Sequence, residues 1–273
     1  MSQKTFIVPH DFTSVSDIAL EHAIATAKPL GAEILLLHIV ENGKEIADVD
    51  KKLKEVISTI KTDVKIVPSV RIGNIFDDIG DFASEHQAEL IFIGTHGVHG
   101  WQHLTGMNML KVISNSAVPF IVVQEKSVKE TGYDDIVVPL SLDKETKQKL
   151  AIVASLAKYF KSRVHIVTPE EKDEFFLRQT KANIVFAQKY FSERNIEITS
   201  TVLPSNNFDK EVIRHSVGVN ADLIAIMNLN KSSVFGVLSS SHEEYIITND
   251  ALIPVLLMNP LEGMFSVSAD YNG

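Results

Sequence analysis

The chain carries the same pattern of apolar segments twice, in the same order. Three segments of the first half recur in the second half at spacings of 130, 133 and 135 residues. The matching segments are 6–9 with 136–139, 88–91 with 221–224, and 118–123 with 253–258. Matches that keep their order while their spacing drifts slowly indicate a tandem duplication. We therefore predict two domains, residues 1–126 and 133–260, followed by a C-terminal tail at 261–273.

Each copy alternates strand patterns with helix patterns. In the first copy, apolar strand-like runs lie near residues 5–9, 33–40, 64–70, 89–94 and 119–124. Between them, apolar residues recur at the spacing of one helical face, for example Leu53, Val56, Ile57 and Ile60, or Ile75, Ile79 and Phe82. Apolar strands that alternate with helices predict a parallel sheet covered on both faces. The expected fold class is α/β, with two tandem, doubly wound, five-stranded parallel-sheet domains.

Composition narrows the possible functions. The 273 residues are 45% hydrophobic and 22% charged, which is typical of a globular protein. The net charge of −9 argues against general binding to nucleic acids or anionic membranes, because both require a basic surface. The chain has no cysteine, which excludes disulfides and Cys-ligated zinc. Residues 1–4 lead straight into a strand pattern, and no apolar run approaches the roughly 18 residues of a membrane helix. We therefore expect a cytoplasmic protein.

A glycine-containing loop follows the fourth strand pattern of the first copy. Gly94, Gly97 and Gly100 come directly after an apolar run, and backbone without a Cβ can approach a ligand closely. In a doubly wound sheet, ligands bind beyond the carboxyl ends of the strands where the winding reverses, which here lies between strands 1 and 4. Asp11 follows strand 1. The topology therefore predicts that Asp11 and the loop meet in one crevice.

Three segments of the first copy resemble the universal stress protein family. They are Pro9-His10-Asp11-Phe12-Thr13, Leu35-Leu36-Leu37-His38-Ile39 and Gly94-Thr95-His96-Gly97. The resemblance covers nearly all of residues 3–125 and extends more weakly over 134–260, as in the tandem members of that family. It implies an adenine nucleotide alpha hydrolase-like fold and a regulatory or binding role in the stress response. It also implies that residues 119–124 and 254–259 pair within the chain, making one polypeptide a pseudo-dimer.

The resemblance also implies a set of ligand-binding residues. Family members that bind ATP carry a loop of the form G-x2-G-x9-G-[ST] around the phosphates. Gly94 and Gly97 match its first two glycines, Asp11 matches an acidic position near the nucleoside, and Ile39 matches a position whose backbone meets the adenine. Pro9, at the end of the first strand, is assigned to the same site. The implied ligand is ATP with Mg²⁺, in the first domain only.

The loop departs from the family pattern at its third glycine. Gly106 follows Gly97 after eight intervening residues, not nine, and Met107 then stands where the pattern has Ser or Thr. Counting nine residues places Met107 at the glycine and Asn108 at the hydroxyl position. Residues 94–110 also contain no Lys or Arg. Two interpretations stay open: an ATP site built from backbone amides, or an interaction module that needs no nucleotide.

The second copy has lost the features of the site. Ser141 stands in place of Asp11, and Met227 and Asn230 stand in place of the first two glycines. The third glycine is replaced by Ser239 or Ser240. Longer side chains at positions of close backbone approach fill the space that phosphates need. We predict that the second domain binds no nucleotide in this manner and serves as a structural partner.

The same loop offers residues for metal binding. His96, His99 and His103, with Asp11, could hold zinc, since imidazole and carboxylate both suit that ion; solvated or phosphate-facing histidines are the favoured interpretation. The sequence lacks G-x4-G-K-[ST], G-x-S-x-G and H-E-x-x-H motifs, so we expect a binding protein that is not an enzyme. A protein partner and assembly into a homo-oligomer are expected but not specified.

Overall fold

The computed structural model describes residues 3–95, 106–142, 144–229 and 242–261, which build one ten-stranded sheet with helices on both faces. The first half contains β1 (Thr5–Pro9), α1 (Ser14–Leu30), β2 (Glu33–Val40), α2 (Ile46–Thr59), β3 (Ile66–Ile72), α3 (Asp78–Glu85), β4 (Leu90–Gly94), α4 (Gly106–Ser114) and β5 (Phe120–Val123). The second half contains β6 (Asp135–Pro139), α5 (Leu150–Phe160), β7 (Arg163–Pro169), α6 (Glu174–Ser192), β8 (Ile198–Leu203), α7 (Phe208–Gly218), β9 (Leu223–Met227), α8 (His242–Ile247) and β10 (Val255–Met258).

The strand order shows two doubly wound halves that meet at their last strands. The order is β3-β2-β1-β4-β5-β10-β9-β6-β7-β8. Every neighbouring pair of described strands is parallel except β5 and β10, which are antiparallel. In each half the winding reverses beside the first strand, between β1 and β4 and between β6 and β9. The predicted α/β class, with a mostly parallel sheet, is confirmed.

The β5–β10 pair joins the two halves into one sheet. Ile121 lies opposite Leu256, and Val122 lies opposite Val255. This pairing confirms the prediction that residues 119–124 pair with 254–259 within the chain. It also covers two strand edges whose unpaired N–H and C=O groups would otherwise face solvent.

Both faces of the sheet carry a buried apolar core that continues from one half into the other. Along β1, Phe6 and Val8 face one core and Ile7 faces the opposite one, as the period of two in a strand requires. The first core also contains Ile136 and Val138, and the second contains Val137. Each large apolar side chain buried in this way contributes about 1.5–3 kcal/mol. The shared cores therefore add to the backbone pairing between the halves.

Two local predictions need correction. The strand expected at 64–70 lies at Ile66–Ile72, two residues later. Ile75, assigned above to a helical face with Ile79 and Phe82, precedes α3. The reason is a turn made by Asn74, whose Oδ1 accepts hydrogen bonds from the backbone N–H groups of Phe76 and Asp77. Such an Asx turn competes with helical hydrogen bonding and delays the start of the helix.

The remaining sequence expectations concern boundaries and membranes. Residues 124–134 connect β5 to β6, consistent with the predicted join, while the limits 1–126 and 133–260 stay predictions. Almost all of the C-terminal tail, residues 262–273, lies outside the described part of the chain. Among the described helices, none combines the length and the apolar character needed to cross a bilayer.

Candidate functional site at the carboxyl ends of β1 and β4

The winding of the first half reverses between β1 and β4, at the place where the sequence predicts a crevice. β1 ends at Pro9 and its neighbour β4 ends at Gly94, so both chains leave the sheet at the same edge. The connections after these two strands go to opposite faces of the sheet, which opens a crevice between them. Pro9 itself is buried as the last residue of β1.

Asp11 is held at the crevice by the start of α1. Its Oδ1 accepts hydrogen bonds from the hydroxyl of Thr13 at 2.6 Å and from the backbone N–H of Thr13 at 3.2 Å. Thr13 is the N-cap of α1, and its side chain accepts from the N–H of Ser16 in a capping box. The predicted acidic position is therefore half-buried and fixed by a helix start rather than carried on a loose loop.

Two neutral histidines support the backbone beneath Asp11. His10 is fully buried; its Nδ1 accepts from the N–H of Phe12 at 3.2 Å, which leaves Nε2–H to donate to Asp17 at 3.0 Å. His38 donates from Nδ1 to the carbonyl oxygen of His10 at 2.5 Å. Burial lowers the pKa of both imidazoles despite the nearby carboxylates. The hydrogen bonds of His10 go to Phe12 and Asp17, whereas Asp11 accepts from Thr13.

Phe12 has an unusual backbone conformation in the crevice. Its φ of 65° lies in the left-handed region, which is rare for a bulky residue. The ring packs on His38 at 4.9 Å between centroids and edge-on to His10 at 5.4 Å, with the Lys52 ammonium 5.8 Å from its centre. The side chain is still 37% exposed. Strained residues of this kind cluster at ligand sites, so Phe12 is a site candidate that sequence reasoning did not select.

Ile39 presents its backbone to the crevice. Leu37 directs its carbonyl oxygen toward β1, where it accepts from the N–H of His10 at 2.8 Å. Peptide groups on a strand alternate sides, so those of Ile39 also point toward the β1 side. β1 has already ended at Pro9, which pairs with Leu37. The predicted adenine position therefore faces space beyond the end of β1, while its side chain is buried in the core.

Gly94 has a packing role that the sequence did not reveal. A Cβ added to Gly94 would lie 2.6 Å from Cγ1 of Val15 and 2.8 Å from its carbonyl oxygen. Because one of these atoms belongs to the backbone of α1, it cannot move aside without shifting the helix. The glycine is therefore required for the close approach of α1 to β4, whether or not a ligand also approaches it.

The glycine loop lies largely outside the described residues, but its end does not. Gly97, Gly100, Trp101 and the three histidines His96, His99 and His103 are among the residues that are not described. α4 begins at Gly106, and Met107 and Asn108 belong to its first turn. The N–H groups of a first helical turn have no partner within the helix. Among the residues that the structure describes, no group of three or more His, Cys, Asp or Glu side chains is placed to hold a metal ion.

The corresponding edge of the second half is filled. Met227 ends β9 where Gly94 ends β4, and it is 4% exposed. Asn183 donates to the carbonyl oxygen of Ser141 at 3.1 Å. Lys149 is buried nearby, with its Nζ 2.5 Å from the carbonyl oxygen of Pro139, the last residue of β6. Burial lowers the pKa of this amine to about 7. The degenerate second site stays a prediction, and Asn230, Ser239 and Ser240 lie outside the described residues.

Sequence reasoning also missed the buried amides that follow the last strands. Gln124 comes directly after β5, and Asn259 directly after β10. Both side chains are buried and hydrogen-bonded across the two halves. The signal was present, because a polar residue ends the same apolar run in both copies, 135 residues apart.

This geometry defines a class of protein: an α/β protein of two doubly wound halves that are joined through their last strands. Comparison with known proteins identifies the family within this class. The family model described as "Universal stress protein family" matches residues 3–124. Universal stress protein G of Escherichia coli O157:H7 is 30% identical over 141 residues, which is 44% of this chain and 99% of that protein. Universal stress protein MJ0531 of Methanocaldococcus jannaschii is 29% identical over 45% of this chain and 82% of that protein.

A solved structure covers both halves. The crystal structure of a universal stress protein from Archaeoglobus fulgidus DSM 4304 aligns with 94% of this chain and 97% of its own, with a TM-score of 0.70 and 16% identity. Because the identity is only 16%, this alignment supports the two-part fold and says nothing about function. Together with the sequence relatives, the finding is plain: the chain belongs to the universal stress protein family.

Proposed function

We propose that this chain is a regulatory, adenine-nucleotide-binding protein of the cytoplasmic stress response, with its site in the first domain. The observation that carries the proposal is the placement of two groups beyond the end of β1: the carboxylate of Asp11, anchored by Thr13, and the peptide groups of Ile39. A carboxylate suits ribose hydroxyls, and a strand's peptide groups suit the hydrogen-bonding edge of adenine. The exposed ring of Phe12 adds apolar surface to the same crevice.

The residues fit the nucleoside more fully than the triphosphate. The first-turn N–H groups of α4, from Gly106 to Asn108, are suited to receive phosphate oxygens. Residues 94–110 supply no Lys or Arg to neutralise the phosphates. The carboxylate of Asp11 lies at the same edge of the sheet and is suited to bind Mg²⁺. When bound, Mg²⁺ would neutralise phosphate charge. Asp11 would hold it or the ribose, and the amino end of α4 would orient the phosphates.

Binding, rather than catalysis, is the activity we assign. His10 is neutral, buried and committed to the N–H of Phe12 and to Asp17, so it is not placed to exchange protons with a ligand. The second domain, with Met227 and Lys149 filling its edge, acts as a structural partner. A protein partner would then respond to the occupied or empty state of the first domain.

The test is to identify the ligand and then remove its anchor. Mass spectrometry of small molecules released on denaturing the freshly purified protein should show an adenine nucleotide. Calorimetric titration with Mg-ATP should then show binding to the wild type and at least roughly tenfold weaker binding to Asp11→Ala, since a charged hydrogen-bond partner is lost. Ser141→Ala is the matched control at the corresponding position of the second half. Equal affinities of the two variants would overturn the assignment of the site.

A nucleotide-independent interaction module is the second candidate. Two observations favour it: the packing of Gly94 against Val15 explains that glycine without a ligand, and the Gly97–Gly106 spacing is one residue short. Under this interpretation the wild type releases no nucleotide and gives no heat with Mg-ATP. A variant with one residue inserted between Gly97 and Gly106 and the Met107→Ser substitution should then gain binding. If both wild type and repaired loop stay inactive, the register explanation is wrong.

A further inference from the structure

α4 connects the candidate site with the second domain. It begins at Gly106, beside the crevice, and ends at Ser114, next to the second half of the sheet. Met109, Val112 and Ile113 are buried in the core, so the helix is packed along its length. At 1.5 Å per residue, its nine residues span roughly 13 Å. A rigid helix of that length transmits a displacement of one end to the other.

The carboxyl end of α4 is held by a side chain of the second domain. Asn259, which directly follows β10, donates from Nδ2 to the carbonyl oxygens of Ile113 and Ser116 at 2.6 and 2.7 Å. Both hydrogens of this primary amide are thus used, one on the last turn of α4 and one on Ser116, two residues beyond it. Asn259 is buried, so water does not replace these contacts readily.

A second asparagine fixes the orientation of the first. Asn228 donates from Nδ2 to Oδ1 of Asn259 at 2.8 Å and to the hydroxyl of Ser114 at 3.0 Å. Its own backbone N–H donates to the carbonyl oxygen of Met258 at 2.8 Å, which ties it to β10. Since Asn259 must accept from Asn228 through oxygen, its nitrogen is directed at α4.

Asn228 occupies the position in the second half that corresponds to the start of the glycine loop in the first half. Asn228 follows β9 directly, as Thr95 follows β4 in the first half. In the first half this position opens the glycine loop; in the second half it supplies an amide that holds a helix of the other domain. The degenerate edge of the second domain is therefore built to receive α4.

We propose that Asn259, oriented by Asn228, is a positioning residue for the nucleotide site of the first domain. It sets the place of α4 along its axis, and with it the first-turn N–H groups at Gly106. This inference rests on the proposed function and adds its regulation: the two domains are coupled through α4. Coupling is reciprocal, so a nucleotide at the amino end of α4 stabilises the contact of its carboxyl end with the second domain.

The fold supplies a matched control. Gln124, which follows β5 as Asn259 follows β10, donates from Nε2 to the carbonyl oxygen of Asn249 at 3.1 Å. Asn249 follows α8, so Gln124 holds a helix end of the second domain from the first. Asn259→Ala and Gln124→Ala each delete one buried interdomain amide, but only the first of these amides contacts α4.

The experiment compares these two variants of the full chain. In calorimetric titrations with Mg-ATP, Asn259→Ala should bind roughly three- to tenfold more weakly than the wild type, the range typical of coupling through a packed network. Gln124→Ala should remain within about twofold, because its contact lies on the other helix. Equal losses in the two variants would show general destabilisation and would overturn the proposal while leaving the proposed function intact.

A second measurement tests the positioning of α4 without a nucleotide. It therefore applies even if the wild type binds none and the proposed function fails. Hydrogen exchange is followed in α4 of both variants. Asn259→Ala should speed exchange along α4 as far as Leu110, one turn from its start, and Gln124→Ala should not. If the change is confined to residues 113–117, Asn259 caps the helix end without positioning the helix, and the inference is wrong.

Discussion

Lys149 donates from Nζ to the carbonyl oxygen of Pro139 across 2.5 Å, and both residues are buried at the carboxyl end of β6. Lys149 directly precedes α5, whose C-cap Lys161 is in the left-handed region, as is Gly31, the C-cap of α1. Aligned on these ends, Lys149 corresponds to Ala19 of the first domain. The second domain thus places an amine in its core where the first has a methyl group.

Replacing this amine should stabilise the protein in a pH-dependent way. Burial lowers the pKa of Lys149 from 10.5 to about 7, so the unfolded chain binds the proton more tightly than the folded one. The free energy of unfolding of the wild type should therefore rise between pH 7 and pH 10. Lys149→Met removes this cost and should be about 1–4 kcal/mol more stable at pH 7, with the advantage shrinking toward pH 10. Denaturant titrations across this range measure it.

Lys158 provides the comparison for that experiment, because it is an exposed lysine on the same helix. Lys158→Met measures the change in the free energy of unfolding that comes from removing one surface charge. This change is subtracted from that of Lys149→Met. A Lys149→Met variant whose stability difference from the wild type is the same at pH 7 and pH 10 would show that the amine is charged in the folded protein.

Gly94 should prove indispensable for packing even without a ligand. A Cβ at this position would lie 2.6–2.9 Å from atoms of Val15, two of which are backbone atoms of α1. Gly94→Ala should lower the free energy of unfolding by about 1–3 kcal/mol, the usual cost of overpacking. The measurement is denaturant unfolding of protein freed of small molecules, so that ligand loss makes no contribution.

Gly218 is the matched glycine for this test. It is the last residue of α7, and a Cβ there would meet no atom within 4 Å. Gly218→Ala should be neutral or stabilising by up to about 1 kcal/mol, since alanine loses less backbone entropy on folding. If Gly94→Ala proves as harmless as Gly218→Ala, the close approach of α1 to β4 does not require this glycine.

Repetition in the sequence was enough to predict the fold of this chain. Apolar runs near 5–9, 33–40 and 89–94 are the strands β1, β2 and β4, and the matched last strands pair as expected. These features depend on the period of apolar residues, which is a local property of the sequence. The winding order alone gave the predicted position of the crevice, and the strand order of the structure agrees with that winding.

The chemistry of the crevice was less accessible because it depends on distances between segments. Phe12 gave no sign of a left-handed backbone, and Lys149 follows a polar stretch that suggests a solvated surface. Gly94 was assigned to a ligand site because the sequence does not distinguish a glycine needed for ligand approach from one needed for close helix packing. Asn259 acts on α4 from the other domain, and only the three-dimensional pairing of β5 with β10 brings them together.

His22 connects the two domains on the opposite side of the sheet from α4. Its Nε2 faces the carbonyl oxygen of Lys126 at 3.0 Å, so Nε2 carries the proton and Nδ1 accepts from the hydroxyl of Tyr133 at 2.9 Å. Burial lowers the pKa of this imidazole to about 4. A proton on Nδ1 would place a positive charge beside Tyr133, which is fully buried next to β6.

Acid should therefore weaken the protein through His22. The unfolded histidine gains a proton near pH 6.5 and the folded one only near pH 4, so stability is lost as the pH falls between these values. The advantage of the wild type over His22→Gln should be largest at pH 7 and shrink by about 3 kcal/mol toward pH 4. Tyr133→Phe, which removes the hydroxyl but keeps the histidine, should lose stability at pH 7 and retain the wild-type pH dependence. Denaturant unfolding at pH 4–7 measures all three, and a His22→Gln profile parallel to the wild type would show that another group titrates.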